Sequence, residues 1–218
     1  VVSYEYDTSN RLIQTETKVE GDTTQITSYK YDANGNMLEK RLTPFINSTP
    51  QDQIVKLTNV YDNFNQLTMS ITDDGKTVCN VYNGEGLRIQ KSVDGVATNY
   101  LYEGMKVVAE YDENYKLKAQ NIQGTNLLTR IEKNAKYYYM YNGHADVTAL
   151  LNAKTGNVDA TYYYDAFGTV LSQTGNVNNS YLYAGYQYDE ETQLYYLNAR
   201  MYDSQTARFI QEDTYRGN

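Results

Sequence analysis

The feature that most constrains this chain is a short unit built on Tyr-Asp or Tyr-Asn, which recurs along nearly its whole length. One copy is Tyr29-Lys30-Tyr31-Asp32, which a polar turn joins to the apolar Met37. The copies are centred on Tyr6, Tyr31, Tyr61, Tyr82, Tyr111, Tyr141 and Tyr164. Their loose spacing of about twenty to thirty residues predicts two strands per unit, joined by turns of variable length.

Each unit predicts a β-hairpin. Tyr-x-Tyr places two rings on one face of a strand, because side chains alternate between faces. The Asp or Asn that follows can hydrogen-bond its own backbone and tolerate the left-handed conformation of a tight turn. Asn34-Gly35, Asp74-Gly75 and Asp94-Gly95 are further turn signals. The 25 Tyr residues, against 4 Phe and no Trp, also favour strands.

No segment shows a sustained helical period, so we expect an all-β chain of linked antiparallel hairpins whose edges close or stack. One hairpin is expected to bury Val147, Ala149 and Leu151 on its first strand and the alternate residues from Val158 to Tyr164 on its second. Residues 42–52, with Pro44 and Pro50, are expected to form an extended surface loop. Residues 175–180 are a second irregular piece.

Charge and composition exclude several classes of function. The net charge of -8 and a pI near 4.7 argue against an electrostatic grip on nucleic acid or anionic lipid. No apolar run approaches the roughly 18 residues that span a bilayer, so we expect no membrane insertion by this segment. Cys79 is alone, which excludes a disulfide within the chain and a metal site of paired cysteines. We expect no cofactor and no metal, and we interpret the chain, which starts and ends in mid-pattern, as a fragment.

The closing segment, Tyr181–Asp213, carries the most specific pattern. It is dense in tyrosine and contains YAGYQYD, LYYLNAR and YD, followed by Arg208-Phe209 and Glu212-Asp213. Together with the Tyr-Asp units, this segment resembles the YD-repeat, or Rhs, family, and the resemblance covers nearly the whole chain.

The resemblance implies a fold and a role. In the family the hairpins join into one sheet that spirals into a hollow shell, and a core-associated segment turns inward to plug one end. We therefore predict that residues 1–175 are part of a YD-repeat β-shell and that residues 176–218 are the plug. The partners implied are the upstream YD repeats and a C-terminal toxin domain of the same polypeptide. The location implied is secreted or cell-wall associated, in a bacterium.

The resemblance also implies a self-cleavage site made of two aspartates and a supporting arginine. The first aspartate maps onto Asp213 and the arginine onto Arg200, whereas the second aspartate falls after Asn218. Two close carboxylates that share a proton allow one to act as base and the other as acid, so a lone aspartate predicts no catalysis by this fragment. Ala207 stands where the family has glycine and Thr214 where it has proline. The alternative is that Arg200 and Asp213 are structural ions.

Three functions remain open from the sequence. The leading hypothesis is containment of a toxin; the others are a module that binds carbohydrate or a cell-surface receptor, and a self-cleaving aspartyl protease in the intact parent. Buried tyrosine rows would favour packing, and exposed ones would favour binding. His144 is interpreted as a hydrogen-bonding turn residue. Glu190-Glu191, next to Asp189, is interpreted as a solvated turn and not a glycosidase pair.

Overall fold

The computed structural model describes residues 1–133 and 135–213, and the paired strands in this part of the chain are antiparallel. The chain divides into two compact units. The first unit contains Val1–Cys79 and the chain from Ile210 onward, and the second contains Asn80–Phe209. The boundary at residues 175 and 176 that the family pattern implies stays a prediction.

The first unit is an antiparallel sheet in which each main strand pairs with the next along the chain. A short strand, β5, pairs only with the end of β4. The strands are β1 (Val2–Tyr6), β2 (Leu12–Val19), β3 (Asp22–Tyr31), β4 (Met37–Ile46), β5 (Thr49–Pro50), β6 (Ile54–Tyr61), β7 (Leu67–Thr72) and β8 (Thr77–Tyr82), the last of which crosses the division.

The second unit continues the same pattern and then changes it. Strands β9 to β17 pair in chain order, and the closing segment forms a separate small sheet, β18 to β21. The first set is β9 (Arg88–Val93), β10 (Val96–Glu103), β11 (Lys106–Asp112), β12 (Leu117–Gln123), β13 (Leu127–Glu132), β14 (Ala135–Tyr141), β15 (Val147–Asn152), β16 (Val158–Tyr164) and β17 (Val170–Gly175). The second set is β18 (Gln187–Asp189), β19 (Leu194–Leu197), β20 (Arg200–Asp203) and β21 (Arg208–Phe209), preceded by a 3-10 turn at Tyr183–Gly185.

These pairings confirm the predicted all-β chain of linked hairpins. In the part of the chain that the structure describes, no helix has the length and apolar character needed to cross a membrane.

The Asp or Asn of each repeated unit closes its turn with its side chain. Asp62 Oδ1 accepts hydrogen bonds from the backbone N–H groups of Phe64 and Gln66, both at 2.9 Å. Asn65 in this turn has a left-handed backbone, with φ of 60°. The backbone N–H groups of a turn have no partner strand, and a short side chain with an oxygen can accept hydrogen bonds from them. This explains why Asp or Asn stands at the first position of the turn. The same bond, from the backbone N–H of the residue four positions later, is accepted by the side chains of Asp7, Asp32, Asn83, Asp112, Asn142 and Asp165.

The tyrosine of the unit has a role beyond packing. Tyr141 Oη donates to the carbonyl oxygen of Leu127 at 2.6 Å, and Leu127 is the first residue of β13. Phenylalanine cannot make this bond, which accounts for the preference for tyrosine. The first residues of four other strands receive the same bond, at 2.7 to 3.0 Å, from Tyr31 to Leu12, Tyr61 to Met37, Tyr102 to Arg88 and Tyr164 to Val147.

A β-bulge at each of these tyrosines changes which residues face the core. Tyr141 pairs with Val147 and Met140 with Ala149, so Thr148 is an extra residue in β15. A one-residue shift reverses the alternation of a strand. The burial predicted for Ala149 and Leu151 was therefore wrong, and the buried residues of this strand are Val147 and Leu150.

The surface loop predicted for residues 42–52 was also wrong in its first half. Strand β4 continues to Ile46, and Thr49–Pro50 folds back on its end. Pro44 is tolerated because it lies beyond Leu42, where the pairing of β4 with β6 ends, and its carbonyl oxygen still accepts from the backbone N–H of Gln51 at 2.8 Å. Asp94-Gly95 is the predicted two-residue turn between Val93 and Val96. The irregular piece predicted for residues 175–180 contains no strand from residue 176 onward, but Gly175 is the last residue of β17.

Candidate functional site

The part of the closing segment that belongs to the second unit, residues 181–209, contributes to the hydrophobic core of that unit. Tyr181, Leu182 and Tyr195 belong to one buried cluster with residues of β13 to β16, and Tyr195 has no exposed surface. The other buried members are Leu127, Tyr139, Val147, Leu150, Ala160 and Tyr162. Removing the segment would expose this cluster to water, so it is a structural component of the unit and not an appendage.

Four charged side chains fasten the closing segment to β9, and we call them the charged clasp: Arg88, Lys91, Asp189 and Glu191. Arg88 Nη1 and Nη2 contact the two carboxylate oxygens of Asp189 at 2.5 and 3.1 Å. Lys91 Nζ contacts Asp189 at 3.0 Å and Glu191 at 2.6 Å. Arg88 is 0% exposed and Asp189 2% exposed, so this bidentate pair is removed from water.

The surroundings of the clasp hold Asp189 in its ionised form. Burial alone would raise the pKa of Asp189, but the charges of Arg88 and Lys91 hold it below its ordinary value. Gln187 Oε1 accepts a further bond from Arg88 at 3.1 Å, and the guanidinium lies 4.3 Å from the centre of the Tyr196 ring. A carboxylate held in this way is suited to a structural pair and not to proton transfer at neutral pH.

A second buried pair lies beside the clasp. Arg130 Nη1 and Nη2 contact the Glu110 carboxylate at 2.5 and 3.0 Å. Burial would raise the pKa of Glu110, but Arg130 holds it below its ordinary value. The hydroxyl of Tyr181 accepts from Gln187 Nε2 at 3.1 Å and lies 3.5 Å from Glu110 Oε1. Tyr181 therefore connects the two ion pairs through one polar network.

Three tyrosines of the closing segment cap one turn of the sheet, Ala166–Gly168. Tyr183 Oη donates to the carbonyl of Ala166 at 2.9 Å. Tyr202 and Tyr195 donate to the next two carbonyls, those of Phe167 and Gly168, at 3.0 and 2.8 Å. A Cβ atom on Gly168 would lie 2.5 Å from the Tyr183 ring. The Asp165-Ala166-Phe167-Gly168 motif is therefore a docking site for the closing segment.

The turn interpretation of His144 is confirmed. Its Nδ1 lies 2.8 Å from Asp146 Oδ1, and its ring centre lies 5.1 Å from that of Tyr183. Asp146 also accepts from the backbone N–H of Ala184 at 2.9 Å. Burial would raise the pKa of Asp146, but hydrogen bonds from His144 and Asn142 hold it below its ordinary value. This turn is a further attachment point for the closing segment.

The two predicted catalytic residues lie at the end of the described chain. Arg200 begins β20, and its guanidinium stacks 3.8 Å from the centre of the Phe209 ring. Asp213 is exposed and is the last described residue. Arg200 belongs to the second unit and Asp213 to the first, so their catalytic roles stay predictions.

The structure also describes Ala207 and the Glu190-Glu191 turn, two features singled out in the sequence of the closing segment. Ala207, where the family has glycine, keeps a left-handed backbone with φ of 56°, which is an unfavourable conformation for alanine. Thr214 lies outside the described residues. The solvated-turn interpretation of Glu190-Glu191 is correct for the exposed Glu190, whereas Glu191 is partly buried and paired with Lys91.

A cavity of about 630 Å³ lies within the second unit, between the sheet and residues 176–182. Its lining carries charges of both signs, from Lys91, Lys118, Arg130, Glu110, Glu132, Glu190 and Glu191. A lining of mixed charge gives no preference for an anionic or a cationic ligand.

Known proteins resemble this chain in sequence. It is 37% identical over 193 residues to the tRNA3(Ser)-specific nuclease WapA of Bacillus spizizenii and 35% identical over 193 residues to the tRNA nuclease WapA of Bacillus subtilis strain 168. Each alignment covers 85% of this chain and 8% of the relative, so the chain spans only a small part of these proteins. No family model matches the sequence.

The fold has solved counterparts. The crystal structure of TcdB2-TccC3-Cdc42 superposes with a TM-score of 0.59 at 13% identity, over 98% of this chain and 14% of that chain. At this identity the match shows a shared fold. The solved counterpart agrees with the repeated hairpins, and the sequence relatives support the predicted secreted or cell-surface location. The chain belongs to the YD-repeat, or Rhs, family.

Proposed function

We propose that this chain is the containment part of a secreted bacterial YD-repeat toxin. It forms part of a shell that encloses and delivers a toxin domain located C-terminal to it, and it is not itself an enzyme. The observation that carries the proposal is the buried pair of Arg88 and Asp189, which fixes the closing segment to the hairpin sheet. The curated relatives bear the name of tRNA nucleases, and this chain aligns with 8% of their length.

A plug that contains a domain has to stay closed, and the attachment of the closing segment suits that role. Releasing the segment would leave Arg88 without its partner and would expose the core around Tyr195. An uncompensated buried charge destabilises a protein by about 3–5 kcal/mol, in addition to the loss of buried apolar area. The segment therefore behaves as a permanent closure and not as a lid.

Protease protection tests containment in the longer protein that carries the natural sequence after Asn218. We expect the C-terminal domain to resist added protease in the wild type and to become sensitive in Asp189→Asn. Glu191→Gln is the matched control, because it removes a carboxylate of the same clasp whose side chain is 23% exposed. A C-terminal domain digested as fast in the wild type as in Asp189→Asn would contradict containment.

Self-cleavage of the intact parent is a second candidate, and the end of the chain favours it. Ile210 and Gln211 are 3% and 5% exposed, whereas Asp213 is exposed two residues later. A held segment that presents an accessible carboxylate is the arrangement that a positioned catalytic group requires. In the same longer protein, intact mass should show two products for the wild type and for Glu212→Gln but one species for Asp213→Asn. Cleavage of Asp213→Asn at the wild-type rate would exclude this role.

Binding of glycan or a surface receptor has less support. The repeated tyrosines Tyr29, Tyr139 and Tyr162 are only 5 to 8% exposed, so their rings serve packing.

A further inference from the structure

Two turns of the first unit lie side by side and are joined through their asparagines. These are the turns that follow β3 and β6. Asn65 Oδ1 accepts hydrogen bonds from Asn34 Nδ2 at 3.1 Å and from Asn36 Nδ2 at 2.8 Å. Asn36 is 1% exposed and also donates to Asp32 Oδ2 at 2.8 Å. We call Asn34, Gly35, Asn36 and Asn65 the turn cradle.

The end of the described chain lies on the turn cradle. The backbone N–H of Met37, which follows the cradle directly, donates to the carbonyl of Ile210 at 2.8 Å. Gln211 Nε2 lies 3.5 Å from the carbonyl oxygen of Asn65. Both Ile210 and Gln211 are buried. Met37 and the turn cradle therefore hold the chain up to Gln211, through the backbone carbonyl of Ile210 and the side chain of Gln211.

Gly35 leaves room for Glu212. A Cβ atom built on Gly35 would lie 3.2 Å from Glu212 Cβ and 3.3 Å from Glu212 Oε2. Gly75, in another turn of the same unit, has nearly the same backbone, with φ of +85° against +86°, but nothing lies within 4 Å of its Cβ position. The two glycines share a conformational requirement, and only Gly35 also contacts the end of the chain.

We propose that the turn cradle positions Asp213 for self-cleavage, with Gly35 and Asn36 as positioning residues. The inference rests on the self-cleavage proposed above. Its physical basis is that Ile210 and Gln211 are held beside the cradle and that Glu212 lies against Gly35, so a displacement of Glu212 displaces the carboxylate of Asp213. A reacting group misplaced by about 1 Å can lose about a hundredfold in rate.

The test compares Gly35→Ala with Gly75→Ala in the longer protein, with the first-order rate constant of self-cleavage followed by intact mass. Both substitutions place alanine at a left-handed φ, so any general loss of stability is shared. We expect Gly35→Ala to slow cleavage at least about threefold, since Glu212 has to move by a fraction of 1 Å. We expect Gly75→Ala to stay near the wild-type rate.

A second readout reports the position of the segment directly. Hydrogen exchange of the Met37 amide should be faster in Gly35→Ala than in Gly75→Ala, because this amide is bonded to Ile210. Adding Glu212→Gly to Gly35→Ala removes the side chain that the new methyl group meets. The double variant should then cleave at the rate of Glu212→Gly alone.

Each outcome decides the proposal. Equal cleavage rates in the two glycine variants, or failure of Glu212→Gly to rescue, would overturn positioning by the cradle while self-cleavage stands. A wild-type protein that does not cleave would overturn self-cleavage itself, and the exchange rates would still show whether the cradle holds the segment.

Discussion

Replacing Asp189 by asparagine should strongly destabilise the second unit. The substitution preserves the shape of the side chain but removes its charge, which leaves Arg88, 0% exposed, without a compensating anion. Breaking a buried pair by removing one partner costs about 3–5 kcal/mol, which is a large share of the roughly 5–15 kcal/mol that stabilises a typical domain. We expect a loss in this range in the free energy of unfolding.

Urea unfolding followed by circular dichroism, with linear extrapolation to water, measures this loss. Glu191→Gln is the control, because Glu191 meets only Lys91 in the clasp and its side chain is 23% exposed. A partly exposed pair contributes about 0–1 kcal/mol. The double variant Arg88→Met, Asp189→Leu should recover much of the loss, since an apolar pair leaves no buried charge.

The reasoning would be refuted if Asp189→Asn and Glu191→Gln lost the same small amount, because Asp189 would then be as well solvated as Glu191. A double variant less stable than Asp189→Asn would also refute it, since the unpaired charge of Arg88 would then not be the cause of the loss.

Three further predictions concern stability, measured as the free energy of unfolding in urea. The pKa values of Asp189 and Glu110, the carboxylates of the two buried arginine pairs, lie below their ordinary values, so the stability they supply is present above about pH 4 and should fall as the pH drops below it. The fall should be smaller in Asp189→Asn, and a rise in stability on acidification would contradict this. Gly168→Ala should lower the free energy of unfolding by about 2–4 kcal/mol because the new methyl group meets the Tyr183 ring, whereas Gly95→Ala, with open space at its Cβ, should lower it by about 1 kcal/mol. Equal losses in the two variants would contradict the steric argument. Tyr141→Phe should lower the free energy of unfolding by about 1 kcal/mol because the hydroxyl bond to Leu127 is lost, whereas Tyr163→Phe should lower it by less than about 0.5 kcal/mol because Tyr163 is 66% exposed. An unchanged stability of Tyr141→Phe would show that the hydroxyl contributes nothing.

The hairpins were predictable because their signals are local. Asp32 closes the turn that contains it, and Asn34-Gly35 marks the same turn, so both signals lie within four residues. The bulge at Tyr141, which adds Thr148 to β15, was not predictable from alternation, and it is why Leu150 is buried in place of Leu151. Alternation of apolar and polar residues along a strand does not show where a β-bulge inserts an extra residue.

The charged clasp was not predictable from the sequence. Arg88 and Asp189 are 101 residues apart, and nothing near either residue identifies the other. The solvated turn was predicted for Glu190-Glu191, and nothing in the sequence indicated that Asp189, the last residue of β18, is buried. The resemblance to the YD-repeat family indicated that the closing segment is special, but the partners of its side chains come from the folded chain.

The bond from each tyrosine hydroxyl to an earlier carbonyl has a consequence for how such an array can evolve. The partners are separated by 14 residues for Tyr102, 19 for Tyr31 and 24 for Tyr61, yet the contact is the same. The alignment of successive hairpins is thus set by this hydrogen bond and not by a fixed number of residues between them. Insertions and deletions within a hairpin leave this hydrogen bond intact. A lineage can therefore lengthen or shorten individual repeats while their neighbours keep their alignment.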